Sequence, residues 1–184
     1  KGHDVLFAAL ARCADLRWRC VCVGARDPDP GFADRLGQLT MECGIGDRIR
    51  LDGPLVGADL DAAYAAADLL VLASHAETYG MVVTEALARG VPVVATAVGG
   101  VPEALGHGSN GSRPGLLVPA GDSVAFAAAL RGWLGDAELR REMRRAAGDR
   151  RRTLTGWSVT ADRIAQVLLG LTARPSGLPV GLRR

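Results

Sequence analysis

The chain has 184 residues, 48% apolar and only 4% aromatic, with a formal net charge of +2. That apolar content excludes a disordered chain and calls for a core of mostly Val, Leu and Ala. Charges interrupt every apolar run short of the about 20 residues a membrane-spanning helix needs, and the mild charge argues against a nucleic-acid partner. No charged and apolar leader opens the sequence, so a soluble, cytoplasmic protein is the expectation.

The first predicted element is a helix, with Leu6, Ala9, Leu10 and Cys13 on one stripe. A helix at this point implies an entry strand upstream of it. Trp18–Gly24 reads as a short strand, placing Cys20 and Cys22 on one face. With Cys13 and Cys43 they make four cysteines, read as buried free thiols because no second close pair completes a metal set. A helix over Asp29–Cys43, a strand over Arg48–Gly53 and a helix over Leu60–Ala67 follow. Asp68–Ser74 is a strong strand, Gly80–Arg89 a helix stopped by Gly90, and Val91–Thr96 a strand. Gly99-Gly100 turns into a short helix at Val101–Leu105, and Leu116–Val118 is a weak strand. Asp122 or Ser123 caps the next helix. Helices are predicted over Phe126–Trp133, Ala137–Arg152 and Val159–Leu169. The Arg-rich second of these carries opposite charges at close spacing and reads as a solvated face.

Strands alternating with helices, without in-out alternation, give an α/β fold: an open, mostly parallel Rossmann-like sheet with helices on both faces. The predicted domain is 1–171, lacking its first strand, with a flexible tail at 172–184. Ligands of such sheets gather beyond the carboxyl ends of strands. That rule selects Gly24–Arg26, Gly53–Leu55, Ser74–Gly80, Thr96–Gly100 and Pro119–Asp122.

The stretch from Ser74 to Leu87, SHAETYGMVVTEAL, stands out among these. Glu77 falls in a loop at a strand end and Glu85 falls one to two turns into the next helix. Their backbones are about 12 Å apart or more, too far for a glycosidase pair at one carbon. The spacing suits two carboxylates that grip different parts of a long ligand, each accepting from paired hydroxyls. Amides of Tyr79, Gly80 and Met81 lie near a helix start, where anions are tolerated. The plainer alternatives are a surface Glu85, a capping Glu77, and Tyr79 and Met81 in the core. Gly99 and Gly100 permit close backbone approach, as a phosphate or hydroxyl cradle or as a simple turn. His75 adjoins the stretch and is a further candidate with Gly99 and Gly100. No metal site is read.

Together, AETYGMVVTEALARGVPVVATAVGGVPEAL and GLLVPAGD resemble the donor-binding, C-terminal half of retaining GT-B glycosyltransferases of group 1, glycosyltransferase family 4. The Glu-x7-Glu pattern falls on Glu77 and Glu85. The resemblance implies transfer of a glycosyl group, a hexose for example, from a nucleoside-diphosphate sugar, with no other cofactor. It implies Glu77 on the transferred sugar, Glu85 on the ribose, and Thr78, Tyr79, Gly80 and Met81 amides near sugar and diphosphate. It further implies Val82 beside the nucleoside, Lys1 on the diphosphate, and Gly53, Pro54, Leu55 and Val56 around the base. Lys1 and Glu77 would carry the catalytic roles. The acceptor would come through an N-terminal domain of the same protein, which leaves room for peripheral membrane contact there. On this reading the chain alone binds donor without transfer. The alternatives are a GT-B sugar-nucleotide epimerase domain and a noncatalytic interaction module on the same fold.

Overall fold

The structure, a computed structural model, describes residues 1–24 and 30–172. They fall into two compact units, one ending at Thr153 and one beginning at Leu154. In the first, helices α1 (His3–Ala11), α2 (Pro30–Glu42), α3 (Gly57–Ala65), α4 (Met81–Ala88) and α5 (Val101–Leu105) alternate with five strands. These are β1 (Cys20–Val23), β2 (Ile49–Asp52), β3 (Leu70–Leu72), β4 (Val93–Thr96) and β5 (Gly115–Val118). Helices α6 (Ser123–Gly135) and α7 (Ala137–Thr153) complete it. The second unit holds α8 (Trp157–Thr172), whose Ile164, Val167, Leu168 and Leu169 are exposed.

Every ladder is parallel, as the βα alternation requires. The pairing differs from the single sheet expected. Among the described residues β1 pairs only with β2, and β3, β4 and β5 form a separate sheet in that order. The two share one apolar core around Phe7, Leu10, Cys13, Val94, Phe126 and Leu130. Helix α1 is buried on most sides, through Val5, Leu6, Phe7, Ala9 and Leu10, and packs on α6. A fully buried Phe such as Phe7 contributes about 1.5–3 kcal/mol relative to an exposed one. β4 is buried along its whole length, as a central strand covered on both faces must be.

Several boundaries shift for identifiable reasons. The strand expected from Trp18 begins at Cys20, because the Trp18 indole donates to the Cys13 carbonyl (2.9 Å) and anchors the end of α1 instead. Arg48 closes a 3₁₀ turn at Gly46–Arg48 rather than opening β2. Its guanidinium stacks on Trp18 and donates to the carbonyls of Ala14, Leu16 and Trp18. β4 begins two residues later than expected, after Val91 and Pro92, whose ring nitrogen has no proton for a ladder. β1 departs from the both-faces-covered pattern: Cys20 and Cys22 are half-buried while Val21 and Val23 are exposed. All four cysteines are free, but only Cys13 is fully buried, a correction to the buried-thiol expectation. The one-sided cover of β1 explains Cys20 and Cys22. Asp122 is the α6 cap, accepting from the Val124 and Ala125 amides at 3.0 and 2.8 Å.

The Arg-rich helix α7 is knitted to nearby acids and carbonyls. Arg144 reaches Asp68 and Arg152 reaches Asp149, while Arg140 donates to the carbonyls of Trp133 and Leu134. No helix among the described residues is long and apolar enough to cross a membrane. Of the tail expected at 172–184, Thr172 is the last residue of α8 and 173–184 lie outside the described residues, as does the strand-end position at Ala25-Arg26.

Candidate functional site

Ser74 and Glu77 follow β3, in the loop that leads into α4. Glu77 Oε1 accepts from Lys1 Nζ at 2.6 Å and from Ser74 Oγ at 2.7 Å. Ser74 is itself fixed: its carbonyl accepts from the buried Thr96 Oγ1 at 2.6 Å. Burial pushes the Glu77 carboxyl up, but the hydrogen bonds from Lys1 and Ser74 and the Lys1 charge outweigh it. The result is a carboxyl held below its ordinary value, and so ionised at neutral pH. Glu77 Oε2 has no hydrogen-bond partner among the described residues. The Glu77 side chain is 12% exposed and Lys1 64%.

Two glycine positions make this corner. Gly2 has φ 69°, and a Cβ there would overlap the Ala73 carbonyl oxygen, so only glycine lets Lys1 lie at the end of β3. Gly99 has φ 49°, and a Cβ there would overlap the carbonyl oxygen of Glu77 itself. The Gly100 amide donates to the Thr78 carbonyl at 3.2 Å. Gly99 and Gly100 therefore pack the β4–α5 loop against the backbone of the Glu77 loop, and the Gly100 amide is already committed there.

Helix α4 starts behind Gly80 (φ 84°), with no side chain capping its first amides. An uncapped helix start carries partial positive charge and open donors. Tyr79 and Met81 are 38% and 42% exposed rather than core, and Val82 is half-buried. Glu85 is half-buried one turn in, and its Oε2 accepts from the buried Tyr64 hydroxyl at 3.1 Å. Glu85 Oε1 has no partner among the described residues. Each carboxylate thus has one oxygen held by protein and one open. His75 is exposed and lies 3.7 Å from Asp4 of α1. Gly53–Val56 sits at the carboxyl end of β2, with Pro54 and Val56 exposed, and no hydrogen bond or ion pair among the described residues joins it to either glutamate. No group of three metal-ligating side chains occurs among the described residues.

Ser74, Thr96 and Tyr64 support the glutamates and were not singled out from the sequence. Ser74 was legible in principle, as a small polar residue closing an apolar strand three positions before Glu77. A hollow of about 390 Å³, lined by Tyr64, Asp68, Arg89 and Arg144 among others, lies at the amino ends of β3 and β4. That is the opposite end from Glu77, and not where ligands of parallel sheets collect.

Parallel strands, interleaved helices and polar groups gathered beyond the β3 and β4 tips define a Rossmann-like half of a GT-B fold. The chain belongs to the glycosyl transferases of group 1, whose family pattern matches residues 1–150. It is 38% identical over 175 residues to the D-inositol 3-phosphate glycosyltransferase of Thermobispora bispora, covering 91% of this chain and 40% of that protein. The Corynebacterium glutamicum protein of that name is 34% identical over 171 residues, with the same coverages. Among solved structures, the sucrose-phosphate synthase of Thermosynechococcus elongatus superposes with a TM-score of 0.78 at 32% identity. It is matched over 94% of this chain and 43% of that one. HepE of Anabaena, in complex with UDP and glucose, gives 0.78 at 27% identity over 91% and 44% of the two chains. The chain spans about two fifths of the length of the curated relatives it matches.

Proposed function

We propose that this chain is the donor-binding part of a retaining glycosyltransferase that moves a sugar, a hexose in the simplest case, from a nucleoside-diphosphate sugar to an acceptor. The observation that carries the reading is the pair of carboxylates, Glu77 and Glu85, each pinned through one oxygen with the other open. A carboxylate oxygen so prepared accepts from sugar hydroxyls with little loss of side-chain freedom. The complex of the Anabaena neighbour with UDP and glucose supports the same class of ligand.

In this reading Glu77 orients the transferred sugar and Glu85 takes the ribose hydroxyls. Amides of Thr78, Tyr79, Gly80 and Met81 and the Lys1 ammonium face the diphosphate. Lys1 spends one proton on Glu77 and keeps two for phosphate oxygens. Charge grows on the departing diphosphate as the glycosyl bond breaks, and these donors stabilise it. Val82 and the Gly53–Val56 loop border the nucleoside. Gly99 and Gly100 shape the Glu77 loop, and His75 stays at its rim on Asp4.

The missing first strand belongs to the same proposal. β1 and β3 each leave an edge unpaired among the described residues, and Lys1-Gly2 lies against Ala73 at the end of β3. A strand entering through Lys1 would run beside β3. An N-terminal domain of the same protein would bring the acceptor, with any contact to a membrane made through it, so the chain alone binds donor without transferring.

Calorimetric titration with UDP, GDP and ADP, and with their glucose and mannose conjugates, tests this. One base is expected to bind, and Glu77→Ala should abolish the extra affinity of the sugar conjugate while sparing the bare diphosphate. Absence of binding by any of them, or sugar transfer by this chain alone, counts against the proposal.

A further inference from the structure

The partner of Glu85 is more than a neighbour in a core. Tyr64 sits near the end of α3, 8% exposed, and points its hydroxyl at Glu85 Oε2. Its ring is covered by the Arg89 guanidinium, 4.6 Å from the ring centroid. Arg89 is fixed in turn. Its Nε donates to Asp61 Oδ1 at 3.1 Å, and a terminal nitrogen donates to the Glu85 carbonyl at 3.1 Å. Asp61 and Tyr64 lie three apart on α3, and Glu85 on α4 lies four before Arg89, the residue that ends that helix, so the members of each pair are neighbours on one side. The two faces are clamped together at two points, an ion pair at the rim and a phenol–carboxylate bond inside it.

We propose that Tyr64 is a positioning residue for donor recognition, holding the Glu85 carboxylate so that its open oxygen is presented to the ribose hydroxyls of a nucleoside diphosphate. The inference rests on the reading of Glu85 as the ribose acceptor. Three features support it. The bond consumes one carboxylate oxygen and leaves the other open. The phenol comes from a different helix, so it fixes the Glu85 rotamer relative to the fold and not merely to its own turn. Burial first, and then the charge of Glu85, push the Tyr64 hydroxyl well above its ordinary value, so it remains a donor throughout the physiological range. A Tyr that only filled space between α3 and α4 would need its ring alone.

The test uses wild type, Tyr64→Phe and Glu85→Ala, each titrated with UDP, GDP and ADP and with the matching 2′,3′-dideoxynucleoside diphosphates. Phe keeps the ring and its stacking under Arg89 and removes only the hydroxyl. For the base that binds, Tyr64→Phe should weaken the ribonucleotide about 3- to 10-fold, the range of one lost hydrogen bond. It should leave the dideoxynucleotide within about twofold, since that ligand never used Glu85. Glu85→Ala should erase the difference between the two ligands. If Glu85→Ala erases it and Tyr64→Phe leaves it at the wild-type value, the positioning role is overturned while the Glu85 reading stands. If Tyr64→Phe weakens both ligands equally, the hydroxyl acts on the fold alone and the proposal is overturned. If wild type shows no difference, or binds none of the ligands, the Glu85 reading fails and the inference fails with it.

Discussion

Gly99→Ala should damage both the fold and the site, in a way that can be separated from the ordinary cost of losing a glycine. Gly99 holds φ 49°, a left-handed conformation that costs an Ala about 1–2 kcal/mol. Its added methyl would also overlap the Glu77 carbonyl oxygen, and forcing the two loops apart should cost a further 1–3 kcal/mol, roughly as overpacking does. Gly90→Ala is the control. Gly90 holds φ 76° with no heavy atom within 4 Å of the new methyl, so only the conformational cost applies. At about 2–4 °C per kcal/mol for a chain of this size, Gly99→Ala should lower the melting temperature by about 5–15 °C, and Gly90→Ala by about half that or less. Scanning calorimetry measures the first effect. Titration with the nucleoside-diphosphate sugar measures the second, because a displaced Glu77 backbone takes its carboxylate with it. Equal melting losses, or an unchanged donor affinity in Gly99→Ala, would refute the claim that this glycine sets the Glu77 loop.

Asp122→Ala removes the α6 cap and should cost about 1 kcal/mol by urea unfolding, with donor affinity unchanged. Arg48→Ala leaves the carbonyls of Ala14, Leu16 and Trp18 without their shared donor, and should lower the urea-derived stability by about 1.5–3 kcal/mol. The carboxyls of Glu77 and Asp149 are both held below their ordinary values, the latter chiefly by the Ser109 hydroxyl. Their contribution to stability is present above the unfolded-state value near pH 4 and is lost as pH falls through the lower folded values. Urea midpoints should therefore drop as pH falls below about 4, and the drop should be shallower in Glu77→Gln. An equal drop would remove Glu77 from that account.

The letters carried the strand–helix alternation because β3 and β4 come from uninterrupted apolar runs, and the Asp122 cap because its signal is local. Spacing alone put Glu77 in a loop and Glu85 on a helix, and both stand there. Long-range partners were not readable. Lys1 and Glu77 are 76 residues apart and Tyr64 and Glu85 are 21 apart, so those bonds exist only once the sheet has formed. Gly99 showed the same limit: the doublet read more readily as a turn than as a cradle, and its packing against the Glu77 backbone has no signal in the letters. Arg48 misled the strand reading because its side chain serves the connection between α1 and β1 rather than β2. The division into two sheets was also illegible, since it depends on which edges find a partner and not on the apolarity of any one strand.

The most direct test is a crystal structure of this chain grown with the nucleoside-diphosphate sugar that binds in calorimetry. Ribose hydroxyls are expected on Glu85 Oε1, sugar hydroxyls on Glu77 Oε2, and the diphosphate between Lys1 and the first amides of α4. A donor bound elsewhere, with both carboxylates left in their present bonds and touching nothing of it, would mean that Glu77 and Glu85 are not the donor site.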